Sequence, residues 1–351
     1  MNATTFARSD LKSLAFSLLT AGGMPQDMAQ TVSELLIQTD ELGVTTHGIS
    51  MVPYYLPELA NGTMTTTGTW DVVRDKGVTM VWDGNYLPGH WIMSHAINTC
   101  IDRARTYGMA ALAIRRSHHI GCLSTLTRIA AEQGLVCQIA TSDPSGKWVA
   151  PFGGTQPTLT PNPWAVGYPS QGHPVLIDTC ASITTVSKVR EHVNQGTRFA
   201  HPWMLGADGI ATTDPTVVNA LPKGTILPVG GMDHGHKGYA MGLMVEMLTQ
   251  ALSGHGRSTD TTRWGGNVFL QVMDPDAFGG GEDFRREVQA LNDLCRANTP
   301  VPGVDRVRVP GDRSYAALDR SRSDGVRLPT EVWTRVSAAA GSLNVALPAP
   351  M

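Results

Sequence analysis

The stretch MAALAIRRSHHIGCLSTLTRIAAEQGLVCQIATS, from Met109 to Ser142, carries the periodicity of two strands and one helix. Residues 109–116 and 136–142 are short runs rich in apolar residues, which is typical of buried strands. Between them, residues 123–134 place apolar side chains at helical spacing and end at a glycine. A strand, a helix and a second strand in this order predict an α/β layer architecture.

The same alternation continues on both sides of this stretch. Strands are predicted at 175–182 and 267–273, and helices at 92–108, 186–196, 282–298 and near 330–340. The segment GGMDHGHKGYAMGLMVEMLTQALSG, 230–254, is predicted to be a glycine loop that leads into a long apolar helix. RVPGDRS, 308–314, is predicted to be a loop.

The N-terminal region is instead predicted to be helical. Ser9 and Asp10 are expected to cap a first helix, and Pro25 is expected to start a second one. The resulting helical hairpin would deliver the turn Thr46-His47-Gly48. We therefore expect an N-terminal helical region, 1–75, that packs with the C-terminal 310–351, and an α/β domain over 76–309.

Composition limits the class of protein. The chain has 351 residues, of which 42% are hydrophobic and 16% charged, with a formal net charge of −3. It is long enough for a sizeable core, and without a basic run it is not expected to bind nucleic acid. We expect no signal peptide and no membrane span, since no window holds about 18 uninterrupted apolar residues. Five scattered cysteines indicate a reduced, cytoplasmic protein.

Three common site motifs are absent from the sequence. No GxGxxG follows the first strand, so a standard Rossmann dinucleotide site is not supported. No GxxxxGK[ST] loop and no GxSxG elbow occur either, which argues against a P-loop protein and an α/β-hydrolase.

Histidines mark two candidate sites. His47 follows the second helix, where an imidazole could act as general acid or base or could simply bond to free helix carbonyls. His118 and His119 lie at the predicted end of a strand, where open α/β sheets bind ligands. Neighbouring strand residues point to opposite faces, so a shared metal ion is disfavoured and one ring could simply be buried.

Two further segments could bind an anion or a sugar. DHGHKGY offers Asp233, His234, His236 and Lys237 before a helix, a place that attracts phosphate, although a solvated loop is an equal alternative. In LIDTCAS, Asp178 could accept ribose hydroxyl groups or could cap the next helix.

Together these segments resemble the malate/L-lactate dehydrogenase family. The resemblance rests on ELGVTTHGI, RRSHHIG, APFGGTQPTLTPNPWAVGYP, DTCAS, GADGIATTDP, HKGYAMGLMVEML and VPGD, taken in this order. The family also includes ureidoglycolate dehydrogenase, diketogulonate reductase and piperideine-2-carboxylate reductase. It implies the non-Rossmann α/β fold of L-sulfolactate dehydrogenase, which accounts for the missing glycine-rich fingerprint.

The resemblance also implies roles for individual residues. Thr46, His47 and Gly48 match the family's Ser-His-Gly motif, where the histidine is the proton donor, and His119 matches a second histidine that holds this role in some members. Cofactor contacts are implied for His118, Asn162, Asp178, Thr179, Cys180, Ser182, His236, Lys237, Gly238, Gly311, Asp312 and Arg313. Pro161 belongs to the turn that lines the same cleft.

One departure from the family concerns the substrate. Met51 stands where the family has an arginine that grips the substrate carboxylate. A thioether cannot replace that bidentate pair, and an unpaired buried carboxylate would cost several kcal/mol. Either another cation acts there, with Arg115, Arg116, Lys147 and Arg198 as candidates, or the substrate lacks that carboxylate. With Tyr55, Trp148 and Pro161, Met51 is expected to form an altered, more apolar pocket.

We therefore expect an NADH- or NADPH-dependent oxidoreductase that acts on a small 2-oxo or 2-hydroxy acid or a cyclic imine, and that forms a homodimer. Two alternatives are kept: a metal-dependent hydrolase or lyase that uses His118, His119, His234 and His236, and a family member that binds the cofactor without catalysis.

Overall fold

A seven-stranded mixed sheet forms the centre of the computed structural model, which describes residues 3–259 and 262–351. Its strands are β2 (Asp71–Asp75), β3 (Thr79–Asp83), β4 (Met109–Ser117), β5 (Val136–Ser142), β6 (Pro163–Tyr168), β7 (Val175–Cys180) and β11 (Gly266–Met273). The order in space is β2-β3-β4-β11-β5-β6-β7. Only the β3–β4 pair is parallel.

The quoted stretch behaves as its periodicity predicts. β4 and β5 flank β11 with a helix between them in sequence, and their inward residues Leu112, Ile114 and Ile139 are fully buried. The described helices are α1 (Arg8–Ala21), α2 (Gln26–Glu41), α3 (Val52–Ala60), α4 (Gly89–Tyr107), α5 (Leu123–Ala131), α6 (Val186–Gln195), α7 (Gly231–Glu246), α8 (Gly281–Arg296), α9 (Asp312–Asp324) and α10 (Thr330–Ser342).

The two ends of the chain meet. β1 (Ala3–Phe6) pairs antiparallel with β12 (Val326–Pro329), and one hydrophobic cluster runs from α1 and α2 through the sheet to α10. The predicted boundary between the N-terminal region and the α/β domain at residue 75 stays a prediction. β2, which ends at that residue, belongs to the central sheet. A three-stranded sheet of β8 (Met204–Leu205), β9 (Ala211–Thr212) and β10 (Thr225–Ile226) covers a second, smaller cluster.

Three local predictions are wrong. Ser9 and Asp10 lie inside α1, and the residue before the helix, Ala7, makes no side-chain cap. The DHGHKGY segment is helical, because α7 begins at Gly231 and is interrupted only at His234, where φ is −125° and ψ is 16°. The predicted loop 308–314 contains the start of a helix that the sequence analysis missed, α9, with Gly311 at φ 102° before it.

Candidate active site

A tight turn after α2 carries His47. A short 3-10 helix, Ile49–Met51, follows it directly and leads into α3. The Asp40 carboxylate lies beneath this turn, where its Oδ2 accepts the backbone N–H of Ile49 at 2.7 Å. Gly48 is required here because an added Cβ would overlap the Asp40 carboxyl group.

Asp40 is an unusual support for a turn. Its side chain is only 4% exposed, and its other oxygen, Oδ1, has no hydrogen-bond partner among the described residues. Burial raises the pKa of Asp40 to about 8, against the opposing effect of the Ile49 N–H bond. The turn that presents His47 is thus built on a carboxyl group that is largely neutral at pH 7.

Two histidines face each other above this turn. The rings of His47 and His119 are nearly parallel, at 23°, with their centroids 5.8 Å apart. Thr46 Oγ1 lies 2.9 Å from Nδ1 of His47, and the phenol oxygen of Tyr55 lies 2.7 Å from Nδ1 of His119. Tyr55 is 1% exposed on α3, while Thr46 is exposed. The structure therefore brings the two predicted proton donors into one site.

Burial weakens the basicity of both rings. It lowers the pKa of His47, and it lowers the pKa of His119 well below the usual value, with the neighbouring histidines adding to the effect. Two positive charges 5.8 Å apart would repel by about 3 kcal/mol at an effective dielectric constant of about 20. A positive charge on one ring therefore disfavours a positive charge on the other.

Aromatic residues form the wall behind the pair. The Trp264 ring lies 5.5 Å from His119 and 4.8 Å from His118, centroid to centroid. His118 is fully enclosed; burial lowers its pKa to about 4, and Glu58 Oε2, at 3.6 Å, is too far for a hydrogen bond. It would act on a cofactor only through its neighbours. His90, also enclosed, has its pKa lowered to about 3 by burial.

The predicted cofactor segments converge on β7 and the residues after it. Asp178 Oδ2 accepts the N–H of Ser124 at 2.9 Å, so it caps α5, which begins four residues after His119. A Cβ at Gly238 would overlap the backbone of Ala181, and a Cβ at Gly311 would touch Leu176 of β7 at 3.1 Å. Four segments distant in sequence thus share one edge, and α5 at this edge is linked to His119 by a short stretch of chain.

Their side chains divide into two groups. Thr179, His236, Lys237 and Arg313 are exposed, and Cys180 is partly exposed. Asn162 and Ser182 are buried and engaged: the amide of Asn162 donates to the Gly242 carbonyl at 3.1 Å, and Ser182 donates to that of Thr184 at 2.7 Å. Asp312 accepts from Val309 N–H and pairs with Arg296 at 2.7 Å. The second group shapes the edge; in the first, the Cys180 thiol donates to the Ser182 carbonyl at 3.3 Å, and the four exposed side chains are accessible to a ligand.

The predicted pocket residues do not all meet. Met51 is 8% exposed and packs in the main core beside the His47 turn. Trp148 packs in the second cluster with the Arg190 guanidinium 5.4 Å from its ring. The Pro161 carbonyl accepts the N–H of Ala181 at 2.8 Å, just after β7.

The residues suggested to replace the family arginine differ in whether they are already paired with a carboxylate. Arg115 and Arg116 both pair with Asp83 at 2.7 Å, and Arg198, 65% exposed, pairs with Asp214. Lys147 is exposed. The cation near the histidines is one the sequence analysis missed, Arg263. It donates to the carbonyls of Gly62 and Thr63 and lowers the pKa of His118.

Sequence reasoning also missed Asp40, His90 and Trp264. None of them lies in a recognisable motif, and only the packing of α2, α4 and the segment before β11 brings them to the site. Across residues 3–259 and 262–351, no group of three or more His, Cys, Asp or Glu side chains is arranged to hold a metal ion.

No helix in the described part of the chain is both long and apolar enough to cross a membrane.

Known proteins share this architecture. A family model described as malate/L-lactate dehydrogenase matches residues 6–337. An L-lactate dehydrogenase from Cupriavidus necator is 34% identical, over 96% of this chain and 97% of the relative. A Δ1-pyrroline-2-carboxylate/Δ1-piperideine-2-carboxylate reductase from Pseudomonas syringae pv. tomato is 31% identical, over 96% of both chains. The crystal structure of malate dehydrogenase from Entamoeba histolytica superimposes with a TM-score of 0.91 at 25% identity, covering 99% of this chain and 100% of that one.

Proposed function

The chain belongs to the malate/L-lactate dehydrogenase family, and from that premise we propose that it transfers hydride between NADH or NADPH and a small 2-oxo or 2-hydroxy acid or a cyclic imine. The observation that carries the proposal is the stacked His47–His119 pair. A hydride transfer coupled to proton transfer requires a ring that can exchange a proton and a polar surface that holds the cofactor, and we assign these roles to the histidine pair and to the exposed cationic and hydroxyl side chains at the β7 edge.

The exposed side chains at the edge fit a nicotinamide dinucleotide. Lys237 and His236, in the first turns of α7, suit its pyrophosphate, since a helix start and an ammonium group both favour anions. Thr179 and the carboxyl group of Asp178 suit ribose hydroxyl groups. When bound, the cofactor supplies the hydride. The protein orients the reactants, keeps water away with Tyr55 and Trp264, and exchanges the proton at a histidine nitrogen.

Met51 sets the substrate class that we propose. Its thioether offers no charge, and the candidates Arg115 and Arg116 are held by Asp83. A substrate that has no carboxylate at this position fits the pocket. This favours a cyclic imine or a modified 2-oxo compound over pyruvate. The similarity to a reductase named for cyclic imine carboxylates supports reduction of a C=N bond, and within that class the argument from Met51 selects an imine without the carboxylate.

The test is a substrate screen with deuterium-labelled NADH and NADPH. Pyruvate, oxaloacetate and the carboxylate-free imine Δ1-piperideine are each incubated with the enzyme, and mass spectrometry follows deuterium into the product carbon. We expect transfer, with the highest kcat/KM for the imine or a bulkier 2-oxo compound. Transfer to none of a broad set, with the cofactor bound, would favour a member without catalysis, and pyruvate as the best substrate would refute the argument from Met51.

We further propose a homodimer in a reducing, cytoplasmic setting. Leu243 and Met244 near the end of α7, and Met247 in the helical turn that follows it, expose 40–47% of their surface. An exposed apolar face of this kind on a helix is typical of a surface that a second copy covers. The five cysteines are all free.

A further inference from the structure

The hydrogen bond between Tyr55 and His119 separates the roles of the two histidines. On the basis of the proposed function, we infer that Tyr55 is a positioning residue: its O–H donates to Nδ1 of His119, so that His119 stays neutral with its own proton on Nε2. His119 then only donates a hydrogen bond to the substrate oxygen or nitrogen. His47 is left as the group that transfers the proton.

The direction of this hydrogen bond follows from the surroundings of the phenol. Tyr55 is 1% exposed, and among residues 3–259 and 262–351 its oxygen has one hydrogen-bond partner, Nδ1 of His119, at 2.7 Å. A buried O–H without an acceptor is costly, so its proton has to point at Nδ1. Burial also raises the pKa of Tyr55, which keeps the phenol protonated. Nδ1 therefore accepts, and a neutral imidazole with Nδ1 as acceptor carries its hydrogen on Nε2.

Protonating His119 would break this arrangement. A cationic imidazole donates from both nitrogens, so Nδ1–H and the phenol O–H would point at each other unless the phenol found another acceptor. Among residues 3–259 and 262–351, no carboxylate forms a hydrogen bond or ion pair with His119 to offset the charge. The neighbours that bear on the ring electrostatically are His47, His90 and His118, and each disfavours a positive charge.

His47 is under no such constraint. Its Nδ1 faces the Thr46 hydroxyl at 2.9 Å, and a hydroxyl can donate to the neutral ring or accept from the cationic one. Thr46 is exposed, so solvent can restore the proton. In the reduction, His47 gives one proton to the substrate oxygen or nitrogen while the substrate carbon receives the hydride. His47 ends neutral, and His119 neither gains nor loses a proton.

The first test reads the tautomer directly. Protein labelled with ¹⁵N-histidine is examined at pH 7 by two-bond ¹H–¹⁵N correlation NMR, with the His119 signals assigned from His119→Gln. We expect the Nε2–H tautomer in the wild type and a mixture in Tyr55→Phe, which keeps the ring and removes the hydroxyl. A cationic ring or an Nδ1–H tautomer in the wild type would overturn the proposal. Because this readout needs no turnover, it stands apart from any failure of the proposed function.

The second test uses kinetics with a matched control. Tyr54→Phe removes a neighbouring hydroxyl that is 37% exposed and bonded to Arg335, so it should leave kcat unchanged. Tyr55→Phe should lower kcat about 10-fold, the net value of one hydrogen bond, with little change in the KM of the cofactor. His119→Gln keeps an N–H donor and should retain the pH dependence of the wild type, whereas His47→Gln should abolish it. Loss of that dependence in His119→Gln, with His47→Gln still titrating, would reverse the roles.

Discussion

Replacing Gly48 with alanine should disable the enzyme without unfolding it. The new Cβ would lie well under 3.0 Å from all three atoms of the Asp40 carboxyl group, so either the carboxylate or the turn has to move. Asp40 is 4% exposed and bonded to Ile49, which leaves the turn as the part that yields. A displacement of His47 by about 1 Å costs on the order of 100-fold in rate. We expect kcat/KM to fall by about that factor.

The assay is steady-state reduction with NADH or NADPH, with circular dichroism to confirm the fold. Gly341→Ala is the matched control, because nothing lies within 4 Å of its added Cβ. In an Asp40→Ala background the overlap is gone, so Gly48→Ala should cost far less there than in the wild type. The reasoning is refuted if Gly48→Ala is as active as Gly341→Ala, or if the Asp40→Ala background makes no difference.

Three further predictions concern stability, substrate choice and assembly. The pKa of Asp40 is about 8 in the folded state and lies above its unfolded value, so the folded state loses stability relative to the unfolded state as the pH rises from about 4 to 8. The Tm of Asp40→Asn should therefore rise relative to the Tm of the wild type over that range. An equal Tm difference at pH 5 and at pH 8 would contradict this. Met51→Arg, unlike Met51→Leu, should lower the KM for pyruvate about 10-fold or more; no difference between them would argue against a carboxylate position there. Leu243→Glu should shift light scattering from dimer to monomer, and an unchanged mass would place the interface elsewhere.

Local periodicity predicts the elements whose pattern is set by their own burial. β4, α5 and β5 fall where the stretch from Met109 to Ser142 places them, because each buries one face or both faces. The sequence analysis missed α9 because the residues at its start, after Gly311, are typical of a turn and because the helix is mostly polar. The capping prediction at Ser9 failed because the helix begins one residue earlier, at Arg8, without a side-chain cap.

The site residues likewise divide into those that a local sequence pattern predicts and those that only tertiary packing brings together. The THG turn and the His118–His119 strand end can be found in the sequence because each follows a regular element. That His47 and His119 stack, and that Tyr55 rather than a carboxylate orients His119, depends on how α3 packs between distant segments. Asp40 and Trp264 contribute through burial and contact alone, so no local pattern could have marked them.

The central claim is that a nicotinamide cofactor binds beside the histidine pair. The measurement that tests it most directly is titration of the purified protein with NADH and with NADPH, following nicotinamide fluorescence, with Lys237→Ala alongside the wild type. We predict saturable binding of at least one cofactor, weakened by Lys237→Ala because the exposed ammonium no longer faces the pyrophosphate. Absence of binding for both cofactors would contradict the account.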